Sequence, residues 1–303
     1  MRPARAIRTA AAVLLLTSAL AGCAKPGGTD GDLLDDWAML GAAKVPEPVI
    51  GQCRDSTGLN AYDPAAFDGP FKDVPCDGPH QFEIVATGQL PADLAASGER
   101  PGRDRFAALF PQCEDLAAKY LGGEWQAGRL YLYLQPPSTT QWRGGARFFH
   151  CDVAAIGPDG DTIEPATTSV KDAVRAAGPL AQGCFVTAGA DADNLFATAT
   201  PIACDQPHDM EYAGYVTAPA KSDYPKTDDA NDDLFGTACE NKMLAYLGMS
   251  RATYDRQKDI YYVWWRPSGQ AGWNAGEHSS RCYFLLHNRK LSRSVKGIGD
   301  ATL

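Results

Sequence analysis

Two hydrophobic patterns run along this chain, and each occurs twice. From Phe106 the apolar positions continue through Leu109, Phe110, Cys113, Leu116, Ala117, Tyr120 and Leu121, at intervals of three and four, and stop at Gly122-Gly123. Leu234, Phe235, Ala238, Cys239, Met243, Tyr246 and Leu247 repeat the stripe and stop at Gly248. That period with a glycine stop predicts an amphipathic helix whose cysteine lies on the buried face. Runs rich in aromatic and β-branched residues predict strands over 82–86, 130–134 and 147–156, then over 211–216, 260–265 and 281–286. A further short strand is expected around Cys53 and around Cys184. Each half thus reads as about four strands and one long helix. The expected fold class is α+β: two tandem similar domains, each a small antiparallel sheet with the helix packed on one face.

The residues between these elements repeat as well. Pro48 to Cys53 answers Pro179 to Cys184, and Cys76-Asp77-Gly78-Pro79-His80-Gln81-Phe82-Glu83 answers Cys204-Asp205-Gln206-Pro207-His208-Asp209-Met210-Glu211. Tyr120-Leu121-Gly122 and Tyr246-Leu247-Gly248 each begin seven residues after a helix cysteine. A Pro-Ser step followed by Trp142 is matched by Pro267-Ser268 and Trp273, and Ser169-Val170-Lys171 by Ser294-Val295-Lys296. So many matches in one order indicate a duplication. Four-cysteine copies are placed at 48–157 and 179–288, with a linker at 158–178 and a tail at 289–303. Eight cysteines, Cys53, Cys76, Cys113, Cys151, Cys184, Cys204, Cys239 and Cys282, fall four to a copy with no Cys-x-x-Cys pair, which reads as disulfides outside the cytoplasm. Four cysteines allow three connectivities per copy. The favoured one joins first to second and third to fourth, clamping helix to sheet. Loops of this length contribute roughly 3–4 kcal/mol per bridge.

The N-terminus changes the picture of where the chain works. Arg2, Arg5 and Arg8 precede an apolar stretch from Ala10 to Ala19, and Leu20-Ala21-Gly22-Cys23 follows. A charged start, a short apolar run and small residues at a cut site describe a secretory signal over 1–22. Leu-Ala-Gly-Cys resembles the bacterial lipobox, which implies acylation of Cys23 and stable anchoring to the plasma membrane by two or three acyl chains. Residues 23–47 read as a tether, and the chain is expected on the outer face of that membrane. Losing three arginines and no acid takes the net charge from −9 to about −12. An acidic exterior argues against nucleic acid as a partner.

Candidate chemistry centres on the repeated Cys-Asp-x-Pro-His-x-x-Glu segment. His80 with Glu83, or His208 with Glu211, suggests a metal site or a general base. If the strand runs through the histidine, residues three apart point to opposite faces, and the segment is then a rigid turn instead. His150 and His278 have no histidine counterpart in the other copy. Neither a Gly-x-Ser-x-Gly elbow, a His-Glu-x-x-His pair nor a phosphate loop occurs. The reading therefore assigns no catalytic residue, no metal and no cofactor. Exposed aromatics are the other binding candidates, with Trp142 and Trp273 on loops expected at the surface.

The glycine-flanked first cysteine, the Cys-Asp-x-Pro-His-x-x-Glu turn, the helix cysteine and the Ser-Val-Lys ending together resemble the actinobacterial septum-formation domain. The resemblance implies an envelope protein connected with septum or cell-wall processes. The expected function is a non-enzymatic binding or scaffolding lipoprotein contacting an envelope protein or wall polymer. The alternative is an envelope enzyme or metal-binding protein using the repeated turn.

Overall fold

A computed structural model describes residues 45–56, 71–160, 162–175, 178–189, 196–219, 221–257, 260–265, 269–286 and 289–301. The expected signal, Cys23 and nearly all of the tether lie outside the described residues. Within them the chain forms two antiparallel sheets with the same strand order. In the first copy, β1 (Cys53–Ser56), β2 (Phe71–Val74), β3 (Phe82–Gln89), β4 (Leu130–Gln135) and β5 (Phe148–Ile156) are arranged β2-β1-β3-β5-β4, and β6 (Ile163–Glu164) pairs with the end of β5. In the second, β7 (Cys184–Ala188), β8 (Thr198–Ile202), β9 (Met210–Thr217), β10 (Ile260–Trp265) and β11 (Ser279–Leu286) are arranged β10-β11-β9-β7-β8. Read from the opposite end, one order is the other. β2 and β8 were not expected from sequence. Both are edge strands, half-exposed and without a buried face to impress an alternating pattern.

One helix covers one face of each sheet. In the first copy α1 (Phe110–Leu121) buries Phe110, Cys113, Ala117 and Leu121 against β3, β4 and β5. The apolar stripe begins earlier, at Phe106, but the helix does not. Residues Arg103–Ala107 make a separate turn, and α1 restarts with Pro111 in its first turn. Proline suits that position, where its missing N–H is no loss, and would break a continuous helix. In the second copy the helix runs over 228–247, with a π-type widening over Asp232–Gly236 leading into α3 (Thr237–Leu247). A short helix, α2 (Thr139–Arg143), precedes β5, and α4 (Gln270–Asn274) precedes β11.

Four disulfides brace the sheets, two in each region. Cys53 joins Cys76 and Cys113 joins Cys151; Cys184 joins Cys204 and Cys239 joins Cys282. The second bridge of each pair ties helix to sheet, as the favoured connectivity requires. Segments read as linker and tail belong to the copies they follow: Val170, Ala173 and Val174 lie in the first core, and Val295 lies in the second.

Lys44–Leu303 is one compact unit. The two halves are joined by more than the connecting chain. Arg281, on β11 and fully buried, donates from Nε to the Gln126 carbonyl at 2.9 Å and from one terminal nitrogen to the Gly128 and Leu130 carbonyls at 2.9 and 2.7 Å. A single-residue β-bridge links Gly128 with Ala181, and the Ala199 N–H donates to the Pro158 carbonyl at 2.8 Å. These bonds fix the edge of the first sheet against the second copy.

Candidate functional site

The repeated turn places histidine and glutamate side by side, contrary to a strand running through both. β3 begins at Phe82 and β9 at Met210, so each histidine precedes its strand and is separated from it by a bend. Each instead makes a one-residue bridge to a later segment, His80 to Ala166 and His208 to Leu291. The face-parity argument fails because the alternation starts two residues later than assumed. His80 Nε2 lies 3.9 Å from Glu83, and His208 Nε2 lies 2.9 Å from Glu211 Oε1. The other ring nitrogen faces a main-chain carbonyl, Gly78 at 2.9 Å or Gln206 at 2.7 Å.

The glutamate is the centre of each arrangement. Glu83 Oε1 accepts from the Tyr120 hydroxyl at 2.5 Å and the Ser169 hydroxyl at 2.7 Å, and Oε2 accepts from the Val170 N–H at 2.7 Å. Glu211 receives the Tyr246 hydroxyl at 2.5 Å, the Ser294 hydroxyl at 2.8 Å and the Val295 N–H at 3.0 Å. Three of the repeated motifs therefore converge on one buried carboxylate. The tyrosine comes from the last turn of the helix, which a glycine in the left-handed conformation then closes, Gly122 at φ 79° and Gly248 at φ 65°. The serine and valine come from the Ser-Val-Lys ending. Tyr120 feels both the burial and the carboxylate it serves, and its pKa is pushed up to about 12, burial first and the Glu83 bond second. Tyr246 is shifted up for the same reasons in the same order.

The donor set does not fit a metal ion. One sulfur, one histidine nitrogen and one carboxylate oxygen lie within 4.8 Å of one another in each copy, as Cys53, His80 and Glu83 and as Cys184, His208 and Glu211. Both sulfurs are already bonded in disulfides, and both carboxylates already hold three donors. His80, Glu83, His208 and Glu211 are each no more than 1% exposed, so solvent and substrate do not reach them. The arrangement is a latch that locks the end of each copy onto its sheet and helix.

Trp142 and Trp273 are corrected from surface to core, at 3% and 6% exposure. The loop before Trp142 is the start of α2, where Ser138 and Gln141 form a reciprocal capping box. The helix turns Trp142 inward, under the Arg147 guanidinium at 3.7 Å from its ring centre. Trp273 packs edge-on against Tyr224 and Phe235. Tyr131 and Tyr133 are also buried, and Tyr261 is exposed.

Two features escaped the sequence reading. On the face of the first sheet away from α1, Arg54 pairs with Asp152, and His150 Nε2 lies 2.7 Å from the same guanidinium. Burial, opposed by Asp152 and helped by Arg54, lowers the His150 pKa to about 4. The second copy holds Phe185 and Tyr283 where the first holds Arg54 and Asp152. The other feature is a recess of about 510 Å³, its open mouth included, between the two halves. Its floor is the outward face of the second sheet, with Phe185, Met210 and Tyr283. The turn at Gly157–Gly160, together with Arg129 and Gln182, forms the opposite wall. Neither feature belongs to the repeat, which is why comparing the copies did not find them.

Fold and latch together define a class: a duplicated four-cysteine α+β module, each copy closed by a buried glutamate and braced by two disulfides. The chain belongs to the septum-formation family, whose sequence model matches residues 52–282. No curated protein and no solved structure matches it.

Proposed function

We propose that the chain is a non-enzymatic binding or scaffolding module of the cell envelope. It is held at the outer face of the plasma membrane by lipid on Cys23 and serves septum or cell-wall processes. The observation that carries the reading is the fate of the repeated motif. Its histidine and glutamate are buried, and the glutamate of each copy takes the donors that close the fold, so the chemistry common to both copies supports architecture rather than turnover. The disulfides support a location outside the cytoplasm. The recess between the halves offers a mostly apolar surface depression for a partner.

Two measurements test this. Metabolic labelling with a palmitate analogue is expected to mark the wild-type chain and not Cys23→Ala; equal labelling of both removes the anchor. In-cell cross-linking is expected to capture a defined envelope component that survives Glu83→Asp, which keeps a carboxylate in the latch. Purified chain that turns over an envelope substrate, with activity lost in His80→Ala and His208→Ala while the fold persists, would replace this reading with an enzymatic one.

A further inference from the structure

We propose that the bridge between Cys53 and Cys76 is a thiol–disulfide exchange site opened by a dithiol, with His80 accepting the hydrogen of the freed Cys53 thiol. This goes beyond the binding-module reading and holds whatever the chain binds. The two bridges of the first copy differ in access. Cys113 and Cys151 are both wholly buried. Cys53 is buried at the start of β1, but Cys76 is partly exposed, in a turn where its neighbours Pro75 and Asp77 are exposed. A bridge with one cysteine at the surface and the other withdrawn admits attack at one end only, and surface bridges are the ones that exchange.

The withdrawn end has a partner waiting. A ring nitrogen of His80 and the Cys53 sulfur lie within 4.8 Å of one another. His80 Nδ1 faces the Gly78 carbonyl at 2.9 Å, so in the neutral ring it carries the proton and leaves Nε2 as an acceptor. Nε2 is buried and, among the described residues, has no hydrogen-bond partner; Glu83 lies 3.9 Å away, beyond hydrogen-bond distance. A disulfide sulfur has no hydrogen to offer this nitrogen, and a thiol has one. Reduction therefore supplies the donor that the oxidised state lacks. The second copy is an internal comparison. Cys184 is likewise buried and Cys204 partly exposed, but His208 meets an oxygen at each ring nitrogen, Gln206 at 2.7 Å and Glu211 at 2.9 Å. A Cys184 thiol would find that acceptor already taken.

The exchange runs in two displacements. A thiolate of the dithiol attacks Cys76 Sγ, the S–S bond breaks, and its electron pair leaves on Cys53 Sγ. That sulfur takes a proton from the medium and directs it at His80 Nε2. The second thiolate of the dithiol then attacks its own partner sulfur in the mixed disulfide, and Cys76 leaves as a thiolate that water protonates. The chain gains two electrons and two protons, and the dithiol ends as a disulfide.

The test equilibrates the whole secreted chain in graded ratios of reduced to oxidised dithiothreitol, traps free thiols by alkylation and maps the bridges by peptide mass spectrometry. The bridge from Cys53 to Cys76 is expected to open at a ratio roughly tenfold lower than the bridge from Cys184 to Cys204, the worth of one buried hydrogen bond. The two helix bridges are expected to stay closed at both ratios. His80→Phe is expected to remove the difference by making the Cys53 bridge harder to open. A histidine with only a structural role predicts the opposite, since loosening the turn makes its bridge easier to open. If His80→Phe fails to fold, the comparison of the two copies in the wild-type chain decides the matter. A helix bridge that opens first, turn bridges that open at the same ratio, or a His80→Phe chain whose Cys53 bridge opens as readily as in wild type or more so would each overturn the proposal.

Discussion

Replacing Glu83 by glutamine tests whether the repeated motif is a latch. The substitution keeps shape and volume and removes the charge. In the native arrangement the two carboxylate oxygens accept from Tyr120, Ser169 and the Val170 N–H. An amide has one oxygen, so whichever way it turns, at least one of these buried donors meets an NH2 group instead of an acceptor. An unsatisfied buried donor costs about 1–3 kcal/mol, and the remaining bonds lose their ionic assistance. Together this gives about 3–5 kcal/mol, in line with breaking a buried charged network. Against a total of roughly 5–15 kcal/mol, that is a large share. Urea titration of the disulfide-intact chain, followed by tryptophan fluorescence, measures it from the shift in midpoint. Tyr120→Phe alone is expected to lose about 1.5–3 kcal/mol. Because the two changes share one bond, the double variant is expected to fall short of their sum by about 1 kcal/mol or more. A Glu83→Gln variant within about 0.5 kcal/mol of wild type would refute the latch, and loss of partner capture in that stable variant would return the motif to a functional role.

Three further outcomes follow from the same geometry. Arg281→Met strips donors from the carbonyls of Gln126, Gly128 and Leu130. It is expected to lose about 3–5 kcal/mol and to raise hydrogen exchange at residues 125–131; unchanged exchange there would contradict the inter-copy joint. His150, with its folded pKa lowered to about 4, leaves the unfolded chain binding a proton that the folded chain refuses between about pH 6.5 and pH 4. Stability should therefore fall as pH falls through that window, by at most about 1.4 kcal/mol per pH unit from this group; an NMR titration showing His150 protonating near pH 6.5 would refute it. Trp142→Ala and Trp273→Ala are expected to lose about 3–5 kcal/mol each, and a binding defect in either without loss of stability would contradict their burial.

The sheets, the helices and the cysteine pairing were legible because each rests on local periodicity or on duplication, and the two copies corroborate each other. The latch was half legible. All its parts stand in the repeated motifs, but His80 and Glu83 were separated on paper by extending β3 two residues too far, where the bend at Gln81 intervenes. Trp142 was misplaced although Ser138-x-x-Gln141 carries the signature of a helix start. Arg54, Arg129 and Arg281 left no such signature. Each is a single residue whose partners are main-chain carbonyls or side chains roughly fifty to a hundred and fifty positions away, and no window along the chain brings them together.

Arg281 and His150 occupy the same place in their respective copies, one residue before the last cysteine. A repeat unit that offers a protruding cation on one side and a row of receptive carbonyls on another can stack head to tail without limit. Here the leading unit carries an imidazole already engaged with Arg54, so it has nothing to insert into a further neighbour. The joint therefore runs one way: the second unit reaches into the carbonyls of the first, and the residue at the same place in the first unit is spent inside its own sheet.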